Sequence, residues 1–329
     1  MMARMRNGCR LVLLGIFGLP LLMSCATSRW ELLTQDTQHP HAIDIIATAF
    51  VDAKHGWAIN AVELWKTDDG GMTWKVSRSG DDKYFHSLMF LNQSAGWIVG
   101  TKKESGTNKV LVIRTVDGGN SWLESHVEIP SSDVRGASGL QSVSFCNPDI
   151  GWAVGADLIL RSVDGGQTWE KQRGGNDEVL YGIQCVNSAK AWAVGQDGLI
   201  LSTEDGGKNW FRQESSTKAT LARVRWFDRI GWILGGITEK GILLRTSSDG
   251  SKWQRVPIES SEALFDIYLN GQMGWVVGAR GSILHSSDKG LTWHQEKSPT
   301  ENDLVSIFFL DPRHGWISGK KLTVLRLSD

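Results

Sequence analysis

Six aspartates recur in one sequence motif, and their carboxylates are the first candidates for chemistry. The motif reads Ser/Thr-x-Asp-x-Gly-x-x-Trp, and one of its copies, Ser247–Trp253, is one residue short. Paired carboxylates can hydrolyse glycosidic bonds as acid and base. Here, however, a hydroxyl and a carboxylate can bond the N–H groups of a tight turn, and Gly allows a positive φ. We therefore predict no catalytic residue and interpret these Asp-box aspartates as structural: Asp69, Asp117, Asp164, Asp205, Asp249 and Asp288.

A second motif, Gly-Trp, indicates which elements position these turns. It recurs about every 43 residues, a spacing typical of four-stranded propeller blades. Its tryptophans are Trp57, Trp97, Trp152, Trp232, Trp275 and Trp316, and Ala191-Trp192 completes the series. We therefore predict an all-β fold, a seven-bladed β-propeller of four-stranded blades with Asp-box turns. The last repeat lacks its fourth strand, so the N-terminal strand with Trp30 should join the last blade and close the ring.

The N-terminus has the pattern of an export signal. A short basic segment precedes a 12-residue apolar run, Leu11–Leu22, which is too short to span a bilayer as a helix. Leu22-Met-Ser-Cys25 then resembles a bacterial lipobox, which makes Cys25 the expected lipid attachment site; an ordinary secretory signal is the alternative. We predict a lipoprotein signal peptide over 1–25 and one propeller domain over 26–329. The protein should be lipid-anchored on the periplasmic side of the envelope, with the outer membrane favoured in a Gram-negative cell.

Charge and cysteine content narrow the function further. The formal net charge is −1 and becomes more negative without the basic signal, which argues against a nucleic-acid partner. We find no metal-ligand spacing and no cofactor motif. Cys146 and Cys185 are the two cysteines of the folded body. Because their places in the repeat differ by one residue, we expect them to face opposite ways on their strands and remain free thiols.

Arginines outside the repeat pattern are the candidates for partner binding. Five other basic residues share one place in the repeat, so the repeat itself explains why they recur and a shared anion site is not indicated. These residues are Lys66, Arg114, Arg161, Arg245 and Arg326. Arg223 and Arg225 instead lie on a predicted inner strand, where other repeats carry Ser or Gly at the position of Arg223. We expect both at the mouth of the central channel, contacting an anionic or peptide carboxylate group. The alternative is a local salt bridge to a neighbouring loop acid such as Asp266. Further candidates for the same face are Arg135, Arg173, Tyr181 and Arg280.

The motifs together resemble the photosystem II stability/assembly factor family of seven-bladed propellers. The resemblance rests on Gly151-Trp-Ala-Val-Gly155, on Leu160-Arg-Ser-Val-Asp-Gly-Gly166 and on the lipobox-like stretch. It implies a non-catalytic, lipid-anchored scaffold or assembly factor for an envelope or photosystem II-type membrane complex, with an arginine patch at Arg223, Arg225 and Arg280. We expect a monomer without cofactor. An Asp-box glycoside hydrolase of the sialidase or xyloglucanase type, or a carbohydrate-binding propeller, is the alternative.

Overall fold

The described strands form seven sheets that follow one another around a central channel, and neighbouring strands are antiparallel except for one pair in the third sheet. A computed structural model describes residues 29–34, 43–80, 82–129, 139–172, 179–236, 240–247, 249–260 and 262–328. The predicted all-β, seven-bladed propeller is confirmed. Among the described residues, 3-10 turns at Gln196–Gly198 and Ala279–Gly281 interrupt the β-structure.

The strands succeed one another blade by blade along the chain. The N-terminal strand is β1 (Trp30–Thr34). Blade 1 comprises β2 (Ala47–Phe50), β3 (Gly56–Ile59), β4 (Glu63–Thr67) and β5 (Lys75–Ser79). Blade 2 comprises β6 (Lys83–Phe90), β7 (Gly96–Glu104), β8 (Thr107–Thr115) and β9 (Leu123–Glu124). Blade 3 comprises β10 (His126–Glu128), β11 (Leu140–Phe145), β12 (Gly151–Gly155), β13 (Leu158–Ser162) and β14 (Thr168–Lys171).

The remaining blades repeat the same order. Blade 4 comprises β15 (Leu180–Cys185), β16 (Ala191–Gly195), β17 (Ile200–Thr203) and β18 (Phe211–Gln213). Blade 5 comprises β19 (Leu221–Phe227), β20 (Ile230–Gly235), β21 (Ile242–Thr246) and β22 (Gln254–Arg255). Blade 6 comprises β23 (Leu264–Asn270), β24 (Met273–Gly278), β25 (Ile283–Ser286) and β26 (His294–Glu296). Blade 7 comprises β27 (Leu304–Asp311), β28 (His314–Gly319), β29 (Thr323–Leu327) and β1.

Two blades have features that the repeat does not predict. Blade 3 has a fifth strand, because β10 pairs in parallel with its outer strand β14. The segment that leaves blade 2 thus crosses to its neighbour before the next inner strand begins. In blade 2 the hairpin of β7 and β8 is nine residues long on each side, against four to six in the corresponding strands of the other blades.

The N-terminal strand closes the ring, as predicted. β1 pairs antiparallel with β29, with Trp30 opposite Leu327 and Glu31 opposite Arg326. The guanidinium of Arg326 donates to the Glu31 carboxylate (3.1 Å). Trp30 is 2% exposed and packs edge-on against Trp275 and Phe309. The last blade therefore gains both an outer strand and a buried tryptophan from the other end of the chain.

The Asp-box turns are held by hydrogen bonds within each motif. In the second blade, the Thr115 hydroxyl donates to Asp117 Oδ1 (2.8 Å) and accepts the N–H of Gly119 (2.8 Å). Asp117 also accepts the backbone N–H (2.9 Å) and the hydroxyl (2.6 Å) of Ser121. The hydroxyl and backbone N–H of Ser121 lower the pKa of Asp117 to about 2. The four other complete boxes repeat this pattern around Asp69, Asp164, Asp205 and Asp288.

Three of the Gly-Trp tryptophans hydrogen-bond the Asp-box turn of the adjacent blade. The indole N–H of Trp57 donates to the carbonyl of Gly118 in the next blade's Asp-box (3.2 Å), and Trp97 bonds Gly165 in the same way (3.0 Å). Trp316 bonds Gly70 (2.9 Å) and so links the last blade to the first. Buried apolar clusters fill the spaces between blades and contain these rings. At these three interfaces the Asp-box turn stabilises its own hairpin and also anchors the neighbouring blade.

The prediction of two free thiols is wrong, because Cys146 and Cys185 form a disulfide. Their Cα atoms are 5.3 Å apart, within the range for a bridge. Side-chain alternation holds only inside a strand. Cys146 lies one residue beyond the end of β11, in the turn, and so does not follow it. The disulfide joins the inner strands of blades 3 and 4 at the same end.

Candidate binding face at the channel mouth

One residue near the start of each inner strand lies at the mouth of the channel. In blades 2 to 7 the ladder between the first two strands skips that residue, which makes it a β-bulge. In blade 1 the corresponding residue directly precedes β2, and its N–H bonds the carbonyl of Ile59. All seven residues are half-buried. We call them the mouth ring: Ile46, His86, Gln141, Tyr181, Ala222, Phe265 and Val305.

The mouth ring surrounds a cavity of about 790 Å³. Its lining also includes the first blade's turn over Asn60–Glu63, the segment Ile43–Ile45, Arg223 and Lys320. The Asp-box turns are on the opposite face, where they bond the turns between first and second strands, as in Gly118 N–H to Ser94 O (2.9 Å). A cavity of this size is within the range for binding a small molecule or a short peptide segment.

Two arginines and one buried aspartate lie next to the mouth ring, inside the channel. Arg223 Nε is 3.5 Å and Arg225 Nη2 is 3.3 Å from the same oxygen, Oδ1 of Asp266. Burial lowers the pKa of Arg225 and the nearby Asp266 opposes that shift, but a guanidinium stays charged at neutral pH. Two cations therefore share one anion, which leaves one positive charge in excess in the channel.

Asp266 also has a structural role at the free edge of an inner strand. Its Oδ2 accepts the N–H of Ile307 in the next blade (3.3 Å). The Ser144 hydroxyl does the same for the N–H of Cys185 (3.0 Å). Channel-facing polar side chains thus satisfy backbone groups that have no strand partner on that side. The predicted alternative for Arg223 and Arg225, a salt bridge to Asp266, is confirmed, although Asp266 lies on a strand rather than in a loop.

The predicted partner-binding residues are only partly brought together. Tyr181 and Arg223 line the mouth cavity, whereas Arg225 lines the channel beside Asp266. Arg280 is exposed on a rim turn, where its N–H donates to Asp303 (2.9 Å). Cys25, Arg135 and Arg173 lie outside the described residues. The sequence reasoning missed the apolar members of the mouth ring, since the bulge that places them has no signature of its own.

The repeated basic residues do not form a cluster. Each lies opposite its own blade's Gly-Trp tryptophan in the ladder, as Arg161 does with Trp152 and Arg245 with Trp232. The guanidinium carbons of Arg161 and Arg245 are 5.3 and 5.5 Å from the centres of those rings. The five side chains are therefore distributed around the propeller, and Lys66, Arg161 and Arg245 lie over the aromatic rings of their own blades.

The two carboxylates of the mouth, Glu63 and Asp44, already accept hydrogen bonds from the protein. Glu63 accepts from the Asn60 amide (2.8 Å) and from the Trp65 indole (3.2 Å), and Asp44 accepts the N–H of Lys321 (3.2 Å). The described residues include no group of three His, Cys, Asp or Glu side chains that could hold a metal ion. Within the same residues, no helix has the length and apolarity needed to cross a membrane.

The ring of Asp-box blades and its open mouth place this chain in the class of Asp-box β-propellers. A family model for the photosynthesis system II assembly factor YCF48 matches residues 22–129, 80–177, 124–219, 175–264 and 260–328. The protein belongs to this family.

Its relatives are named as assembly factors rather than enzymes. The photosystem II assembly lipoprotein Ycf48 of Nostoc sp. is 25% identical over 324 residues, which cover 96% of this chain and 91% of the relative. The Ycf48 of Synechocystis sp. is 40% identical over 70 residues, but this match spans only 20% of each chain.

Solved structures share the fold. YCF48 bound to D1 peptide superposes with a TM-score of 0.70 at 22% identity, over 92% of this chain and 96% of that one. A GH74 xyloglucanase from Xanthomonas campestris gives 0.69 at 11% identity, over 91% of this chain and 53% of that one. Because both identities are low, these likenesses describe the architecture alone.

Proposed function

We propose that this protein is a non-catalytic assembly or stability factor that binds a peptide segment of a photosystem II-type or other envelope membrane complex. Membership of the YCF48 family carries this proposal. The solved YCF48 with bound D1 peptide supports a peptide as the ligand class. The mouth cavity supplies a place for it, because its size suits a short segment of chain.

Arg223, Arg225 and Tyr181 are the residues we assign to partner contact, with Arg280 at the rim. The support for Arg223 and Arg225 is the excess positive charge beside Asp266, which an acidic group of a partner would balance. Tyr181 and Arg223 line the same cavity, so one ligand can reach both. Arg135 and Arg173 keep their place in the proposal from sequence alone.

The experiment is a pull-down from solubilised membranes of the source organism with wild-type protein and two variants. In Arg223→Gln the second guanidinium still pairs with Asp266, so the variant should fold. Arg245→Gln is the matched control, an arginine of the same blade that stacks on Trp232. We expect mass spectrometry to recover a D1-type reaction-centre subunit or another integral complex with wild type and the control, and much less with Arg223→Gln. Equal recovery with all three proteins, or no membrane subunit with any, would contradict the proposal.

Lipid attachment at Cys25 is the second part of the proposal. Its support is the lipobox-like sequence and the name of the Nostoc relative, an assembly lipoprotein. The protein would then stand on the periplasmic side, with the outer membrane favoured in a Gram-negative cell. Cys25→Ser should move the protein from the membrane fraction to the soluble fraction without changing its melting temperature. A variant that stays with the membranes would refute the anchor.

A further inference from the structure

The mouth ring is divided into an apolar and a polar side. Phe265, Val305 and Ile46 belong to blades 6, 7 and 1, which are neighbours around the ring. His86, Gln141 and Tyr181 belong to blades 2, 3 and 4. Ala222 of blade 5 lies at one boundary, and Arg223 follows it directly. Seven equivalent backbone positions therefore carry two chemistries on opposite sides of one opening.

Neighbouring residues strengthen this division. On the apolar side, Val62 of the first blade's turn is 38% exposed, and Ile43 lines the cavity beside it. On the polar side, His86 Nδ1 donates to the carbonyl oxygen of Leu140 (2.9 Å), which orients the ring. Tyr181 is half-buried in the lining, and the Arg223 side chain is 20% exposed. Val62 thus extends the apolar side of the ring, and Arg223 extends the polar side.

The charges of the cavity favour one orientation of an acidic ligand. Asp44 and Glu63 lie on the blade 1 side, next to Ile46, and would repel a second carboxylate there. Lys320 on that side is paired with Asp303 (2.7 Å), so it adds no net attraction. Arg223, across the opening, belongs to the group with excess positive charge. A carboxylate is therefore attracted to the Arg223 side and repelled from the apolar side.

We propose that the mouth ring reads a peptide in one orientation, with a large apolar side chain on Phe265, Val305 and Ile46 and a carboxylate a few residues away beside Arg223 and Tyr181. This inference rests on the proposed function, because it specifies the sequence of the peptide that the mouth takes. An apolar anchor would contribute affinity by leaving water, and the charge pair would fix register.

The test is a selection of random octapeptides against the full-length exported protein. One library displays the peptides internally and the other with free C-termini, so that a side-chain carboxylate and a terminal carboxylate are distinguished. We expect the enriched peptides to combine a large apolar residue with a carboxylate. An enriched peptide is then synthesised with its apolar residue changed to Ser, and separately with its carboxylate removed.

Each peptide is titrated against wild type, Phe265→Ser, Arg223→Gln and the control Phe211→Ser. Phe211 is 59% exposed on the outer strand of blade 4, so Phe211→Ser removes an equally large ring away from the mouth. Phe265→Ser should weaken the parent peptide about tenfold or more and leave the Ser-substituted peptide unchanged. Arg223→Gln should likewise weaken binding of the parent peptide and leave binding of the peptide without its carboxylate unchanged. Phe211→Ser should bind every peptide as wild type does. Melting curves verify that each variant is folded.

The outcomes separate the two proposals. Enrichment without an apolar residue, or full affinity in folded Phe265→Ser, overturns the two-sided reading and leaves a peptide-binding propeller. If no peptide is enriched above a control selection without the protein, the proposal that the mouth binds peptides is refuted, and this inference is refuted with it.

Discussion

Removal of the disulfide between Cys146 and Cys185 should lower the free energy of unfolding by an amount that depends on the length of the loop it closes. The two residues are 39 positions apart, so the bridge closes a loop of that size in the unfolded protein. The loss of unfolded-chain entropy for such a loop is about 13 cal/mol/K, which is about 4 kcal/mol at 25 °C. In a protein of this size that corresponds to a fall in melting temperature of about 6 °C.

The assay is thermal melting of the exported protein with and without reductant, beside Cys146→Ala/Cys185→Ala. Cys185 is 5% exposed, so the double variant also loses some packing and should melt slightly below the reduced wild type. Either single variant should lose as much as the double variant, because one cysteine cannot bridge. Reductant should leave the double variant unchanged, which makes it the control. The reasoning is refuted if unreduced, denatured protein alkylates at both cysteines, or if reductant leaves wild-type melting unchanged.

Two further predictions concern the ring and its turns. Trp30→Ala should cost about 3–5 kcal/mol in urea unfolding, since the side chain is 2% exposed between blades; a loss below about 1 kcal/mol would show that β1 contributes little. Trp30→Phe is the milder control. Acid should weaken the Asp-boxes, because Asp117, Asp205 and Asp288 have folded pKa values of about 2 against an ordinary 3.8. Their stabilisation is complete above about pH 4 and is lost as the pH falls toward 2. The variant with all three aspartates changed to Asn should therefore have a lower free energy of unfolding at pH 7. Between pH 4 and 2 its free energy of unfolding should change less than that of wild type, and an equal change in the two proteins would contradict this.

The repeat made the architecture predictable from sequence. The Asp-box motif identifies a turn, and the Gly-Trp motif identifies the start of a strand. Trp30 supplies the box tryptophan that the last blade lacks. These signals are local, because a tight hairpin needs particular residues at fixed offsets. The second strand of blade 3, for example, begins at the Gly151 of its Gly-Trp motif.

The mouth could be predicted only in part. Arg223 and Tyr181 differ visibly from their counterparts in other repeats, whereas Phe265 and Val305 look like ordinary strand residues. Their exposure depends on a bulge that shifts the ladder by one residue, and no residue type marks it. The prediction for the two cysteines was wrong for a related reason. Side chains alternate only within a strand, and Cys146 lies one residue past the end of its strand.

The pairing of β1 with β29 determines the order in which this protein can be completed. Glu31 and Arg326 face each other across nearly the whole length of the chain. β1 is synthesised before β29, so the propeller is an open arc with two exposed blade edges until these two strands pair. Blades 1 to 6 carry their own Asp-boxes and can form in turn as they emerge. Burial of Trp30 is the step that must come at the end, so it reports whether a molecule has finished folding.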